Sequence, residues 1–183
     1  QYPARAYVGA YEHAPELRTC TECHDAHSLH INPDKCSPCH LNVVDDADLV
    51  DIRVDETDYD GDGNVQEGIV AEIDAVAQAL YGALQAYAAE VIGQPIIYGP
   101  GSFPYFFVDS NADGAADPGE TIFPNQYRSW TPRLVRSAYN YHFFRQDHGG
   151  YAHNPRYLLQ LLYDSLEDLG ERVPASTATF VRP

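Results

Sequence analysis

The residues with the most chemistry crowd into one stretch, CTECHDAHSLHINPDKCSPCH, Cys20 to His40, which holds all four cysteines and four of the eight histidines. Two motifs in it share one form: Cys20-x-x-Cys23-His24 and Cys36-x-x-Cys39-His40. Thiols at i and i+3 lie on one side of a helical turn, where they can form thioethers to the two vinyl groups of one porphyrin. The next residue then sets an imidazole under the iron, so C-x-x-C-H reads as c-type haem attachment. A zinc site is one rival, since the spacing C-x2-C-x12-C-x2-C is close to that of zinc knuckles. A pair of disulfides is the other. Four thiolates would satisfy zinc without either histidine. With 8 histidines in 183 residues, chance places one after both pairs at about (8/183) squared, about one in 500. The expectation is two covalently attached haems c.

Electron-carrying haem iron takes His/Met or His/His axial pairs, and this chain has no methionine. Bis-histidine ligation or an open sixth site remains, and bis-histidine ligation predicts comparatively low potentials. His13, His27, His30, His142, His148 and His153 compete for two distal positions. His27 sits too close to His24 to reach the far face of the same haem, so it is assigned to the second. His153, in AHNPRY just before a helix start, is assigned to the first. Only 11 residues separate His24 from Cys36, which predicts two irons close enough for electron tunnelling.

Two acidic loops have the form of calcium-binding loops. In DSNADGAADPGE, Asp109, Asn111 and Asp113 hold positions 1, 3 and 5 of the twelve-residue loop. Gly114 makes the turn, Ala115 offers its carbonyl, Asp117 holds position 9 and Glu120 is the closing bidentate carboxylate. In DYDGDGNVQEGI, Asp58, Asp60, Asp62 and Asn64 hold positions 1, 3, 5 and 7, but Ile69 stands at position 12, so Glu67 or Glu72 must replace the last ligand. Neither loop lies between paired helices, so calcium is expected to pin loop geometry and not to act as a sensor.

The elements that position these groups are mainly α. Ile69, Ile73, Val76, Leu80, Leu84, Tyr87 and Val91 recur at steps of three and four, which predicts a helix near 67–92, stopped by Gly93 and Pro95. QPIIYGPGSFPYFFV reads as loop with short extended pieces. Thr131 caps a second helix with Pro132 first and Gly149 beyond its end. Asn154 caps a third with Pro155 first, Gly170 as stop, and a buried face of Leu158, Leu161, Leu162, Leu166 and Leu169. Residues 1–45 lack periodicity, and porphyrin is expected to organise them. The tail after Pro174 reads as polar and extended. The expected architecture is an irregular haem-binding segment, 1–50, packed on about three helices of a body, 51–183, that carries EF-hand-like calcium loops and much loop.

A net charge of −16 repels phosphate backbones and anionic membrane surfaces, which excludes nucleic acid as a partner. No segment approaches the 18 apolar residues of a membrane span. The first residue, Gln1, follows no basic, apolar leader, so the chain is expected to be soluble or already processed.

With CTECHDAHSL, CSPCH, DYDGDG, FFVDSNADGAADPGE and YAHNPRYLLQLLYDSLEDL in view, the chain resembles exported multihaem c-type cytochromes of bacteria and archaea, over about two-thirds of its length. Only the C-x-x-C-H pairs are specific one by one. The last stretch is similar to a C-terminal helix of large polyhaem cytochromes whose histidine before Asn-Pro is often a distal ligand, which maps onto His153. Some such proteins polymerise into extracellular filaments in which a histidine of one subunit ligates a haem of the next, and the resemblance implies His13 as the candidate for that role. It also implies other redox proteins or identical subunits as partners. The expected function is electron transfer outside the cytoplasm, periplasmic or extracellular, not enzymatic, as a filament subunit. A soluble periplasmic shuttle is the alternative, and a dihaem peroxidase or reductase would need a vacant iron site, with Asp147, His148 and Tyr151 as its only imaginable constellation. A calcium- or zinc-binding adhesion module would lack the reduced c-type absorption band.

Overall fold

The computed structural model describes residues 1–14, 17–53, 55–175 and 177–183. It is helix-rich, with a single small two-stranded sheet among the described residues. Five α-helices occur in chain order: α1 (Cys20–Cys23), α2 (Ile69–Ala86), α3 (Pro132–Gln146), α4 (Gly150–His153) and α5 (Pro155–Gly170). The strands β1 (Ile96–Tyr98) and β2 (Phe106–Val108) form an antiparallel hairpin in the register Ile97–Phe107. They are the short extended pieces expected between Gln94 and Val108.

The core is the layer where α5 packs on α2 and α3, and α2 on α3. The predicted faces supply it: Ile73, Val76, Leu80 and Leu84 of α2 meet Leu134 of α3 and Leu158, Leu162, Leu166 and Leu169 of α5, all buried. Each fully buried Leu or Ile contributes about 1.5–3 kcal/mol. The caps also fall where the residue types put them. Thr131 Oγ1 accepts from the Leu134 N–H at 3.2 Å, and Asn154 Oδ1 from the Tyr157 N–H at 3.1 Å.

One boundary differs from expectation. The helix predicted to 92 leaves α-geometry at Ala86 and continues as a π-type turn, Tyr87–Ile92, closed by Gly93 at φ 80°. The wider turn rotates the stripe, so Val91 is 47% exposed and Ala88 is buried in its place. The helix capped by Thr131 stops at Gln146, with Gly149 beyond its end, and α4 follows before α5. The tail is tied to the body: Val181 N–H donates to Tyr59 O at 2.8 Å, and Arg182 Nε to Asp164 Oδ1 at 2.7 Å.

The N-terminal segment is built differently. No described residue from 1 to 42 is buried. Its first residues lie as a strap over α3 and α5, held by polar sockets. Tyr2 Oη pairs with Ser137 Oγ at 3.1 Å, Tyr7 O–H donates to Asp164 Oδ2 at 2.6 Å, and Val8 N–H donates to Gln160 Oε1 at 2.9 Å. Asn154 Nδ2 holds Gly9 O at 2.9 Å. No helix among the described residues is long and apolar enough to cross a membrane.

Candidate cofactor and metal sites

The two Cys-x-x-Cys-His motifs adopt one local geometry by different means. In the first, Thr19 and Glu22 form a capping box over α1, and the turn closes with His24 N–H donating to Cys20 O at 2.8 Å. In the second, Asn32 caps a 3₁₀ turn, Pro33–Lys35, and the motif closes with His40 N–H donating to Cys36 O at 2.9 Å. In both, one turn presents two thiols and then an imidazole. Asn32 N–H donates to Cys23 O at 2.9 Å, tying the motifs together. No disulfide joins any of the four cysteines. Nor do their sulfurs converge on a tetrahedral site. Among the described residues, the clusters of three close ligands are carboxylates of the 58–72 loop.

Each motif histidine faces a second histidine. The His24 and His153 ring centroids stand 6.4 Å apart with planes at 55°, and those of His40 and His13 stand 6.0 Å apart at 51°. An imidazole nitrogen binds a first-row metal at about 2 Å and lies about 1 Å ahead of its ring centroid, so two imidazoles on opposite sides of one metal stand about 6 Å apart. The separations therefore fit two bis-histidine haems. His24 Nδ1 lies 2.9 Å from Leu29 O, and His153 Nδ1 lies 3.1 Å from Asp147 Oδ1. These contacts put the proton on Nδ1 and leave Nε2 as ligand. Burial, then His13, holds His40 below the usual imidazole value, which favours the neutral, ligating form. Burial first, and then Cys23, pushes the Cys36 thiol up.

His153 stands across from His24, the motif with which the sequence paired it. The ring across from His40 is that of His13, where the sequence had placed His27. His27 is exposed, and its backbone N–H caps the Asp25 turn at 3.0 Å. His142 is taken by Tyr98, whose hydroxyl lies 2.9 Å from its Nδ1. Asp147 is engaged by His153 and so is not free for a constellation with His148 and Tyr151. The signal for His13 was weak, because its place depends on where the strap crosses α5.

The acidic loops share one scaffold. Position 1 accepts from the glycine N–H at position 6: Asp58 Oδ2 from Gly63 at 2.8 Å, and Asp109 Oδ2 from Gly114 at 2.9 Å. Positions 3 and 5 accept from the N–H two residues on: Asp60 from Asp62 and Asp62 from Asn64, then Asn111 from Asp113 and Asp113 from Ala115. Positions 4 and 6 have positive φ in both loops, at Gly61 and Gly63 and at Ala112 and Gly114. In the second loop, Glu120 Oε1 accepts from the N–H groups of Ser110 and Asn111, while Asp117 Oδ2 receives Asn111 Nδ2 at 3.3 Å. Glu120 Oε2 and Asp109 Oδ1 are buried with no hydrogen-bond partner. In the first loop the equivalent closing residue is Glu72, from the first turn of α2. Its Oε2 accepts from Tyr59 N–H at 2.7 Å and Asp60 N–H at 3.0 Å. Glu67 Oε1 is buried and unpaired, and burial, then Asp60, Asp62 and Glu72, pushes the Glu67 carboxyl up.

The comparisons with known proteins point the same way as the cysteines. The chain is 34% identical over 109 residues to the C-type polyheme cytochrome OmcC of Geobacter sulfurreducens, an overlap that covers 55% of this chain and 14% of the relative. It is 34% identical over 92 residues to C-type polyheme cytochrome OmcB of two strains of the same organism, covering 46% of this chain and 12% of the relative. The chain therefore spans a small part of these relatives' length. No family model matches it, and no solved structure does. The similarity supports a multihaem c-type cytochrome family for this chain.

Proposed function

We propose that this relative of the multihaem c-type cytochromes is a dihaem electron carrier working outside the cytoplasm. In this reading Cys20, Cys23 and His24 with His153 hold one haem c, and Cys36, Cys39 and His40 with His13 hold the other. The observation that carries it is the pair of facing imidazole couples, 6.4 and 6.0 Å between centroids, each beside a thiol pair. Haem supplies one-electron chemistry when bound. The chain's own residues anchor it by thioethers, cap it on both faces and orient the imidazoles. With both axial positions filled from this chain no site is left for substrate, which is why the reading is a carrier and not an enzyme. Residues 1–50 would be the haem-binding unit and 51–183 the supporting body.

Intact mass and low-temperature electron paramagnetic resonance test this. The expected result is a mass gain of two haems, with two low-spin bis-histidine signals. A high-spin signal from either iron in the wild-type protein, or a gain of other than two haems beyond any bound ions, overturns it. His13→Ala and His153→Ala should each convert one haem to high spin, whereas His27→Ala should leave both unchanged.

The reading extends to assembly as a subunit of an extracellular cytochrome filament. Two haems carry charge only a short way without neighbours. The body also exposes a stacked aromatic pair, Phe103 and Phe123, with centroids 6.4 Å apart, as a contact surface for an identical subunit. Ligation complete within one chain means that such assembly needs no exchange of His13. Electron microscopy of native material decides between filament and soluble shuttle.

Calcium completes the proposal. The buried, unpaired Asp109 Oδ1 and Glu120 Oε2 are acceptors in want of a cation, and Asn111, Asp113, Asp117 and the Ala115 carbonyl supply further oxygens. Asp58, Asp60, Asp62 and Asn64 with Glu67 hold a second ion. Isothermal titration with calcium should show binding that Glu120→Gln reduces by one site.

A further inference from the structure

The two imidazole couples differ in what holds their outer nitrogens. In the first couple both Nδ1 atoms are engaged, His24 by the Leu29 carbonyl and His153 by the Asp147 carboxylate. In the second, neither His40 nor His13 has a hydrogen bond to a ring nitrogen among the described residues. Either partner fixes tautomer and orientation and raises the ligand's basicity, and a charged carboxylate does so more strongly than a carbonyl. A more basic imidazole favours ferric over ferrous iron, and hydrogen bonding around the axial ligands is one lever by which a protein sets haem potential.

Asp147 is held as a fixed partner. It caps the C-terminus of α3, its N–H donating to Phe143 O at 3.0 Å, and its carbonyl accepts from Gly150 N–H at 3.0 Å. Gly149 makes room for the imidazole. A Cβ on Gly149 would stand 2.7 Å from Cε1 and 3.0 Å from Nε2 of His153. The ring folds back over glycine backbone, and the carboxylate meets it from the end of α3.

Resting on the reading that His24 and His153 share one haem, we propose that Asp147 is a positioning residue that sets the reduction potential of that haem below that of the haem held by His40 and His13. The couple involved is a single electron added to ferric iron to give ferrous iron. No bond forms or breaks, and the Nδ1 proton stays on His153 in both states. The direction of internal electron flow follows, from the His24 haem to the His40 haem.

The test is a spectroelectrochemical titration of the holoprotein, with dithionite as reductant, resolved into two one-electron waves. Asp147→Asn keeps an acceptor of the same shape and removes its charge. Its lower wave should shift to more positive potential while the upper wave stays, with both low-spin signals retained. Asp147→Glu, which keeps the carboxylate, should hold the lower wave nearer its native position than Asn does. Unmoved waves in Asp147→Asn, or movement of the upper wave alone, overturn the proposal. If Asn costs the low-spin signal, the Glu variant decides, and a lower wave displaced as far as in Asn overturns it too. A wild-type protein without two low-spin haems would fail the ligation reading itself, and its spectrum would show that before any titration.

Discussion

The loops at 58–72 and 109–120 have the same backbone hydrogen bonds and the same positive-φ positions, yet they neutralise their carboxylates differently. In the first, a protein cation is already in place. Arg53 donates to Glu72 Oε1 at 2.9 Å and also reaches the Thr57, Asp55 and Glu67 carbonyls. Glu72 is fully buried, and both its oxygens are used. In the second, Glu120 keeps one buried oxygen and Asp109 another with no partner at all. The same scaffold thus has Glu72 closed by an arginine in the first loop, where Glu67 Oε1 stays unpaired, and Glu120 and Asp109 each with an unpaired oxygen in the second.

The largest effect that separates the loops is at the closing carboxylate. Glu72→Gln strands Arg53 in a half-buried position and weakens the acceptor for two N–H groups, a loss of about 3–5 kcal/mol as for other broken buried pairs. Glu120→Gln in calcium-free buffer removes a charge that nothing balances and should cost no more than about 1 kcal/mol. Urea unfolding of both variants reads the difference. Equal losses would break the comparison.

Calcium reverses the order of the two loops. Saturation of the 109–120 loop at about 100 times Kd should raise wild-type stability by about 2.7 kcal/mol, and Glu120→Gln should abolish that gain. A calcium step in the 58–72 loop should be weaker, because one Glu72 oxygen already serves Arg53. Titration of Glu120→Gln isolates that step, and a residual step tighter than the one lost would contradict the assignment.

How much of this could be read from residues alone depended on whether the signal was local. Helices α2 and α5 were legible because their stripes and caps lie within single segments. The thiol pairs stood out because each Cys-x-x-Cys-His motif is contiguous in the chain. The π-type turn left no local mark, and α4 was hidden because Gly149 reads as a stop when it is room for the His153 ring. The partner of His40 was out of reach because twenty-six residues of aperiodic chain separate it from His13, and the strap's path is set by side chains on α3 and α5. Glu72 did carry a signal. It sits inside the stripe Ile69, Ile73, Val76, and a carboxylate in an apolar stripe needs a buried partner.

The first loop is also clamped to α5 through Asp55, and that clamp makes its stability depend on pH. Asp55 accepts from Arg156 Nη2 at 2.6 Å, Tyr59 O–H at 2.8 Å and Thr57 N–H at 2.9 Å. Burial pushes its carboxyl up, but these donors together outweigh burial and bring it down to about 2. With the folded value depressed, the unfolded chain binds more protons between the ordinary aspartate value and about 2, so stability is present above that window and falls as pH drops through it. After solvent screening, the loss is about 1 kcal/mol. Urea midpoints measured from pH 5 to 2.5 should flatten by that amount in Asp55→Asn, and an unchanged slope would show that the clamp contributes nothing.

The smallest test concerns position 4. It is glycine in the first loop because the tail crosses there: a Cβ on Gly61 would stand 2.0 Å from Thr179 O, at a φ of 76°. In the second loop nothing forbids a side chain, and Ala112 occupies the same left-handed region at φ 59°. An alanine there carries steric strain of about 1–2 kcal/mol, and glycine would relieve it at the cost of a more flexible unfolded chain, for a net gain of about 0.5 kcal/mol. Thermal melts of Ala112→Gly should therefore rise slightly in calcium-free buffer. With calcium bound the gain should persist, since position 4 contributes no ligand oxygen to such a loop. A gain that vanished on adding calcium would mean that Ala112 helps hold the ion, and the shared scaffold would then not be the same loop used twice.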